Sequence, residues 1–424
     1  MFRDLSVRAM LVTGASALFA APGLAAEPEA VLQNYADIAQ ASYGDSLTTA
    51  TALREAVGAL VEQPSEQALL AARQAWLAAR VPYQQTEAFR FGNPIVDDWE
   101  GRVNAWPLDE GLIDYVDASY GGATDENDLA ALNVIANPEF TLSGEQIDAA
   151  TITPELIQDS LHEAGAVEAN VASGYHAIEF LLWGQDLNGT EAGAGERPWT
   201  DYASGDDCTG GNCDRRGQYL VAATDLLIAD LEWITEQWAA EGEARAAVTA
   251  DPQAGLSAML TGMGSLSYGE MAGERMRLGL MLNDPEEEHD CFSDNTANSH
   301  YYDGLGIQNV YLGSYTRVDG STVSGPSLSE LVVAADPAVD EQLRAELDAS
   351  VAALDALRQA AENGLAYDQM LARGNAEGEK LIMAAVDGLV TQTRSIERAV
   401  TALDLGNVDL EGSDSLDNPE AVFQ

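Results

Sequence analysis

Apolar residues recur at three- and four-residue intervals over most of this chain, while the alternation of a half-buried strand is scarce. That spacing commits the polypeptide to amphipathic helices. The run "SEQALLAARQAWLAARVPYQQTEAFRF" at 65–91 reads as one long helix kinked at Pro82, whose ring removes a backbone donor. The same pattern predicts helices over 29–61, 154–183, 215–240, 252–282, 327–335, 337–363 and 373–403. Thr153 before Pro154 and Asp251 before Pro252 have the form of helix starts, and Gly184 the form of a stop. Between these helices, 92–152 reads as irregular with two short strands around "EFTLSGEQIDAATI", 184–211 as a glycine-rich loop and 284–326 as a long loop. The expected fold class is mainly α, with two related helical-bundle domains, long loops and at most a few short strands.

Length sets the number of cores. The first 26 residues have the form of a signal peptide. "MFRDLSVR" is a short positive start, "AMLVTGASALFAA" an apolar run of 13 residues, and small residues surround a cleavage point near Ala25 or Ala26. That run is too short for a span of roughly 20 residues, so an exported protein is expected, periplasmic or facing the outside. The 398 residues that remain exceed what one hydrophobic core usually serves. The expected domains are 27–211 and 212–424. A faint internal echo supports duplication: Glu87, Arg90 and Gly92 repeat the spacing of Glu274, Arg277 and Gly279, each at the end of an apolar helix. Glu and Arg three apart also form ordinary surface ion pairs.

Charge narrows the partners. Twenty basic residues face 70 acidic ones, for a net charge of −50, and Lys380 is the one lysine. Such a field repels nucleic-acid phosphates and anionic lipid. It suits salty surroundings and identifies no cation site by itself. In "DDCTGGNCDRR" a four-residue turn separates Cys208 from Cys213, and export favours oxidation, so these two are expected to form a disulfide. Cys291 is left over, either free and buried or paired between chains.

The stretch "SGYHAIEFLLWGQ" at 173–185 places His176 and Glu179 one helical turn apart in an apolar run. A buried His–Glu ion pair is the plain reading; a metal site needs further carboxylates or imidazoles from elsewhere. The following candidates lie in "YQQTEAFRFGNPIVDDWEGRVNAWPLDEG": Glu87 and Arg90 one turn apart, Asp97, Asp98, Asp109 and Glu110 beyond them, and Trp99 and Trp106 as pocket walls. The acidic run "DPEEEHDCFSDNT" at 284–296 can attract cations, although such runs are usually solvated. His162 and His300 read as structural or surface residues. HExxH, GxSxG, a Walker loop and a dinucleotide fingerprint are all missing, which excludes standard zinc proteases, serine hydrolases and nucleotide enzymes.

Taken in order, "VPYQQTEAFRFG", "WPLDE", "GYHAIEFLLWG", "CDRRGQYL", "EEEHDCFSDNT" and "GIQNVYLGSY" resemble the imelysin family, in its iron-regulated protein A-like branch. Gly174, His176 and Glu179 match the family's GxHxxE. The resemblance implies a helix-rich fold of two bundles with a site between them, and export. It implies a metal-binding role in iron acquisition, with a divalent or ferric ion, iron before zinc, or a metal chelate as ligand and iron-uptake proteins as partners. The relatives' YExxE helix has Gln84 here in place of its first acid, leaving Glu87 as the second. The expected ligands are His176, Glu179, Glu87 and Asp98, with Arg90, Trp106, Asp109 and Arg277 also at the cleft. Two rival functions are a metal-dependent M75-type peptidase and a cleft that binds an anionic or polysaccharide ligand.

Overall fold

A computed structural model describes residues 26–124 and 127–423. The signal-peptide reading therefore falls almost wholly outside the described residues. The first bundle is built on α1 (Pro28–Glu62) and α2 (Glu66–Gln84), which run against each other after Ser65 accepts a hydrogen bond from the Ala68 amide, 3.2 Å away. Pro82 lies inside α2, which ends two residues later, and a 3₁₀ turn at Glu87–Phe89 carries the chain on. The segment expected to be irregular instead holds α3 (Pro94–Asn104), started by its own proline, and the single turn α4 (Glu110–Ile113). Strands β1 (Glu139–Leu142) and β2 (Glu145–Asp148) then pair antiparallel at the expected place, Phe140 opposite Ile147.

The helix expected over 154–183 is three pieces. α5 (Pro154–Leu156) starts at the predicted Thr153 cap and passes into a π turn at Ile157–Leu161. Glu163, Gly165 and Ala166 all have positive φ, which breaks the helix, and α6 (Gly174–Trp183) begins afresh after Ser173. Ala172, Ala169 and Gly165 therefore do not extend the face that carries His176. α7 (Cys213–Gln237) follows, packed along α1 and α6. α7 begins just after the expected boundary at 211 and packs against helices that precede it.

After α8 (Glu243–Thr249), α9 (Pro252–Ser265) starts at an Asp251 cap and runs without a break into a π-helix, Leu266–Leu278, and the turn α10 (Gly279–Leu282). The loop expected over 284–326 contains α11 (Thr296–Leu312) and a hairpin of β3 (Ser314–Thr316) and β4 (Thr322–Ser324). Then come α12 (Leu328–Ala335), opened by a Ser327–Glu330 capping box, α13 (Pro337–Glu362), α14 (Tyr367–Leu371), α15 (Ala376–Ala402) and α16 (Asp414–Asp417). The second bundle joins α13, α15, α11 and the π-helix. Cys208 and Cys213 form the expected disulfide, and Cys291 is free.

Candidate metal centre

His176 is held by the way α6 begins. Gly174 has a φ of +79°, and a Cβ there would stand 2.3 Å from the carbonyl oxygen of Val103, so only glycine lets α6 start against the end of α3. The Ser173 hydroxyl donates to the Arg102 carbonyl at 2.8 Å, and Trp76 Nε1 on α2 donates to the Tyr175 carbonyl at 2.9 Å. One turn into α6, His176 Nδ1 lies 3.1 Å from Glu179 Oε2, and the other Glu179 oxygen accepts from both the amide and the hydroxyl of Ser293. His176 Nε2 is buried with no hydrogen-bonding partner among the described residues.

The remaining donors come from the acidic run expected to be solvated. His289 and Asp290 are instead buried, at 2% and 0% exposure. His176, His289 and Asp290 each offer a ligand atom, and those atoms lie within 4.8 Å of one another. The two imidazole rings meet edge-on, centroids 4.8 Å apart, and Trp106 packs edge-on against the far side of His289.

Arg80 is the cation already in place. Its Nη2 donates to Asp290 Oδ1 at 2.8 Å and its Nη1 to Asn104 Oδ1 at 2.7 Å, while its guanidinium sits 5.0 Å from the centre of the Tyr175 ring. Burial pushes the His176 imidazolium down to about 3, with Arg80 adding to the effect, and lowers His289 well below its ordinary range. Both rings are therefore neutral near pH 7, the form that ligates metals. Burial raises the Glu179 carboxyl well above the usual range, and the Asp290 charge reinforces it. Burial would raise Asp290 too, but Arg80 and hydrogen bonds from Ser299 and Asn295 bring it below the usual range.

The imelysin family model matches residues 39–396. This chain belongs to the imelysin family. Iron-regulated protein A of Synechococcus elongatus is 25% identical over 406 residues, 92% of this chain and 91% of that protein. A crystal structure from Parabacteroides distasonis that carries the name iron-regulated protein A precursor superposes with a TM-score of 0.64 at 18% identity, covering 91% of this chain and 97% of that one. The latter establishes the shared fold.

Within this imelysin the other expected site residues separate. Glu87 is buried in a neighbouring charged layer, its Oε2 2.9 Å from Arg275 Nη2, and Asn104 links it to Arg80. Arg90 belongs to that layer too, 2.9 Å from Asp97 and 3.5 Å from Glu100. Asp98 is exposed on α3, apart from the buried set around His176. Arg277 lies against Met383 of α15, 3.0 Å from its sulfur, and Trp99 is core. Trp106 and Asp109 do come together, lining a pocket of about 420 Å³ with Tyr120, Cys291 and Phe292. His289 and Asp290 lie in the run read as able to attract cations but were not among the expected ligands, and Arg80 was missed from the sequence. The signal for the first two was a lone histidine between Glu286–Glu288 and Asp290.

Proposed function

We propose that this imelysin is an exported protein of iron acquisition that holds a metal ion on His176, His289 and Asp290, with Glu179 orienting His176. The observation that carries the reading is the His176 side chain: Nδ1 lies 3.1 Å from Glu179 Oε2 and 3.8 Å from Asp290 Oδ1, Nε2 is buried without a partner among the described residues, and the His289 ring stands edge-on 4.8 Å away. A carboxylate behind a ligating histidine fixes its tautomer and strengthens its donor nitrogen. Two imidazoles and one carboxylate form a donor set that suits ferrous iron, with zinc as a competitor. The relative named for iron regulation supports the same ion. The leader read at residues 1–26 supports export, and no helix among the described residues is long and apolar enough to cross a membrane.

Burial favours capture of an ion over hydrolysis of a chain. His176, His289 and Asp290 are each at most 2% exposed, which leaves a peptide carbonyl no approach in this conformation. Arg80 limits the positive charge the group tolerates. The test is anaerobic calorimetry with ferrous iron, and metal analysis after native purification, comparing wild type with His176→Ala and His289→Ala. Binding weakened by at least about 100-fold in both variants is expected; an unchanged isotherm in either removes that residue from the site. Chelator-sensitive cleavage of unfolded protein would favour the peptidase instead.

A further inference from the structure

We propose that the acidic pocket between α4, α14 and the 285–292 segment is a second cation site, one that takes a hard, oxygen-preferring divalent ion such as calcium. Its carboxylates are Glu110, Asp186, Glu286, Glu288 and Asp368. Two of them are buried without satisfaction. Glu288 is 1% exposed and its Oε2 accepts from the Thr296 hydroxyl at 2.9 Å, yet Oε1 has no partner among the described residues. Asp368 is 2% exposed, and neither of its oxygens has a partner there. Desolvated carboxylate oxygens without partners are costly, and no basic side chain lines this pocket among the described residues. The imidazole set differs, since Arg80 supplies its compensating charge.

Size and chemistry narrow the ligand. The pocket has room of about 10 Å³, enough for one water or one ion and too little for an organic cation. It shares Glu110, Asp186 and Glu286 with the 420 Å³ pocket, which gives a hydrated ion a way in. The charged donors are carboxylates alone, with no imidazole, which selects hard ions. Cys291 also lines the pocket, as an uncharged neighbour of the five carboxylates. Burial and the crowding of like charges hold the carboxyls of Glu286 and Asp368 up at about 7. Calcium coordination is large, flexible and completed by water, so it tolerates carboxylates supplied by several separate segments.

The site does not depend on the iron reading, and the experiment separates the two. Thermal unfolding of the mature chain is followed as calcium rises to about 10 mM after chelator treatment, for wild type, His176→Ala, Asp368→Asn and Asp186→Asn. Calcium should raise the melting temperature of wild type and His176→Ala alike. Asp368→Asn should be more stable than wild type in chelator, because repulsion is relieved, and should lose the calcium response. Asp186 accepts from the Asn188 amide at 2.8 Å and is half-buried, so its asparagine variant should fold and should weaken calcium binding about tenfold. The proposal is overturned by a wild type that ignores calcium, by an Asp368→Asn that keeps the full response, or by a response abolished in about 0.5 M NaCl, which marks screening of the surface charge.

Discussion

Burial strips His176 of its proton affinity and leaves Glu179 to govern the pH response. With His176 near 3 and His289 lowered well below its ordinary range, neither ring competes with a metal for protons near neutral pH. Glu179 does compete, because its folded carboxyl is raised. In the metal-free protein this raised value favours the folded state at low pH, an advantage lost as pH climbs from the ordinary carboxylate range through the folded value. Ligation needs the ionised carboxylate to accept the Nδ1 proton, so metal affinity should rise with pH over that same window. Calorimetry at a series of pH values checks this. Glu179→Gln should flatten the profile and weaken binding by about 10- to 100-fold. Arg80→Met should destabilise the metal-free protein by about 3–5 kcal/mol in urea unfolding, because Asp290 is left charged and unpaired. The His176–Glu179 pair was legible in the sequence from its spacing. Arg80 and Asp290 were not, since an arginine on an amphipathic helix and an acid in an acidic run both read as solvent-facing until the fold pairs them.

At the scale of elements, most helices were legible from apolar spacing and caps, and the exceptions have local causes. α11 was missed because "TANSHYYDGLGIQNVYL" is poor in strong helix formers. Its glycines serve contact instead: a Cβ at Gly306 would lie 2.6 Å from the Gln85 carbonyl oxygen, and one at Gly304 2.3 Å from Leu354. The break before α6 was masked by an apolar pattern that continued across Gly165 and Gly174, both at positive φ. Gly174→Ala should therefore cost about 3 kcal/mol or more, combining left-handed strain with a backbone clash at Val103. It should also reduce metal binding, since His176 sits two residues on. Urea unfolding with calorimetry on the same preparation checks both. The π-helix has a comparable logic: its wider turn stacks residues five apart, and Arg275 Nε donates to Glu270 Oε1 at 2.8 Å across that interval.

For the molecule as a whole, a net charge of −50 makes self-repulsion a large destabilising term. Added sodium chloride should raise the melting temperature steadily up to about 1 M, where screening is nearly complete; scans at fixed pH and rising salt test this. The imelysin fold class was legible because helical periodicity survives any surface charge. The centre was only partly legible, since its donors come from α6 and from a segment more than a hundred residues later. The region from Arg80 to Asn104 meets the region from Glu270 to Asp303 through Glu87, Arg275 and Asp303, where Arg275 reaches Glu87 at 2.9 Å and Asp303 at 3.1 Å. A seam stitched with ions behaves unlike one sealed with grease. Water would solvate the charges along this line far better than it would the apolar core around them.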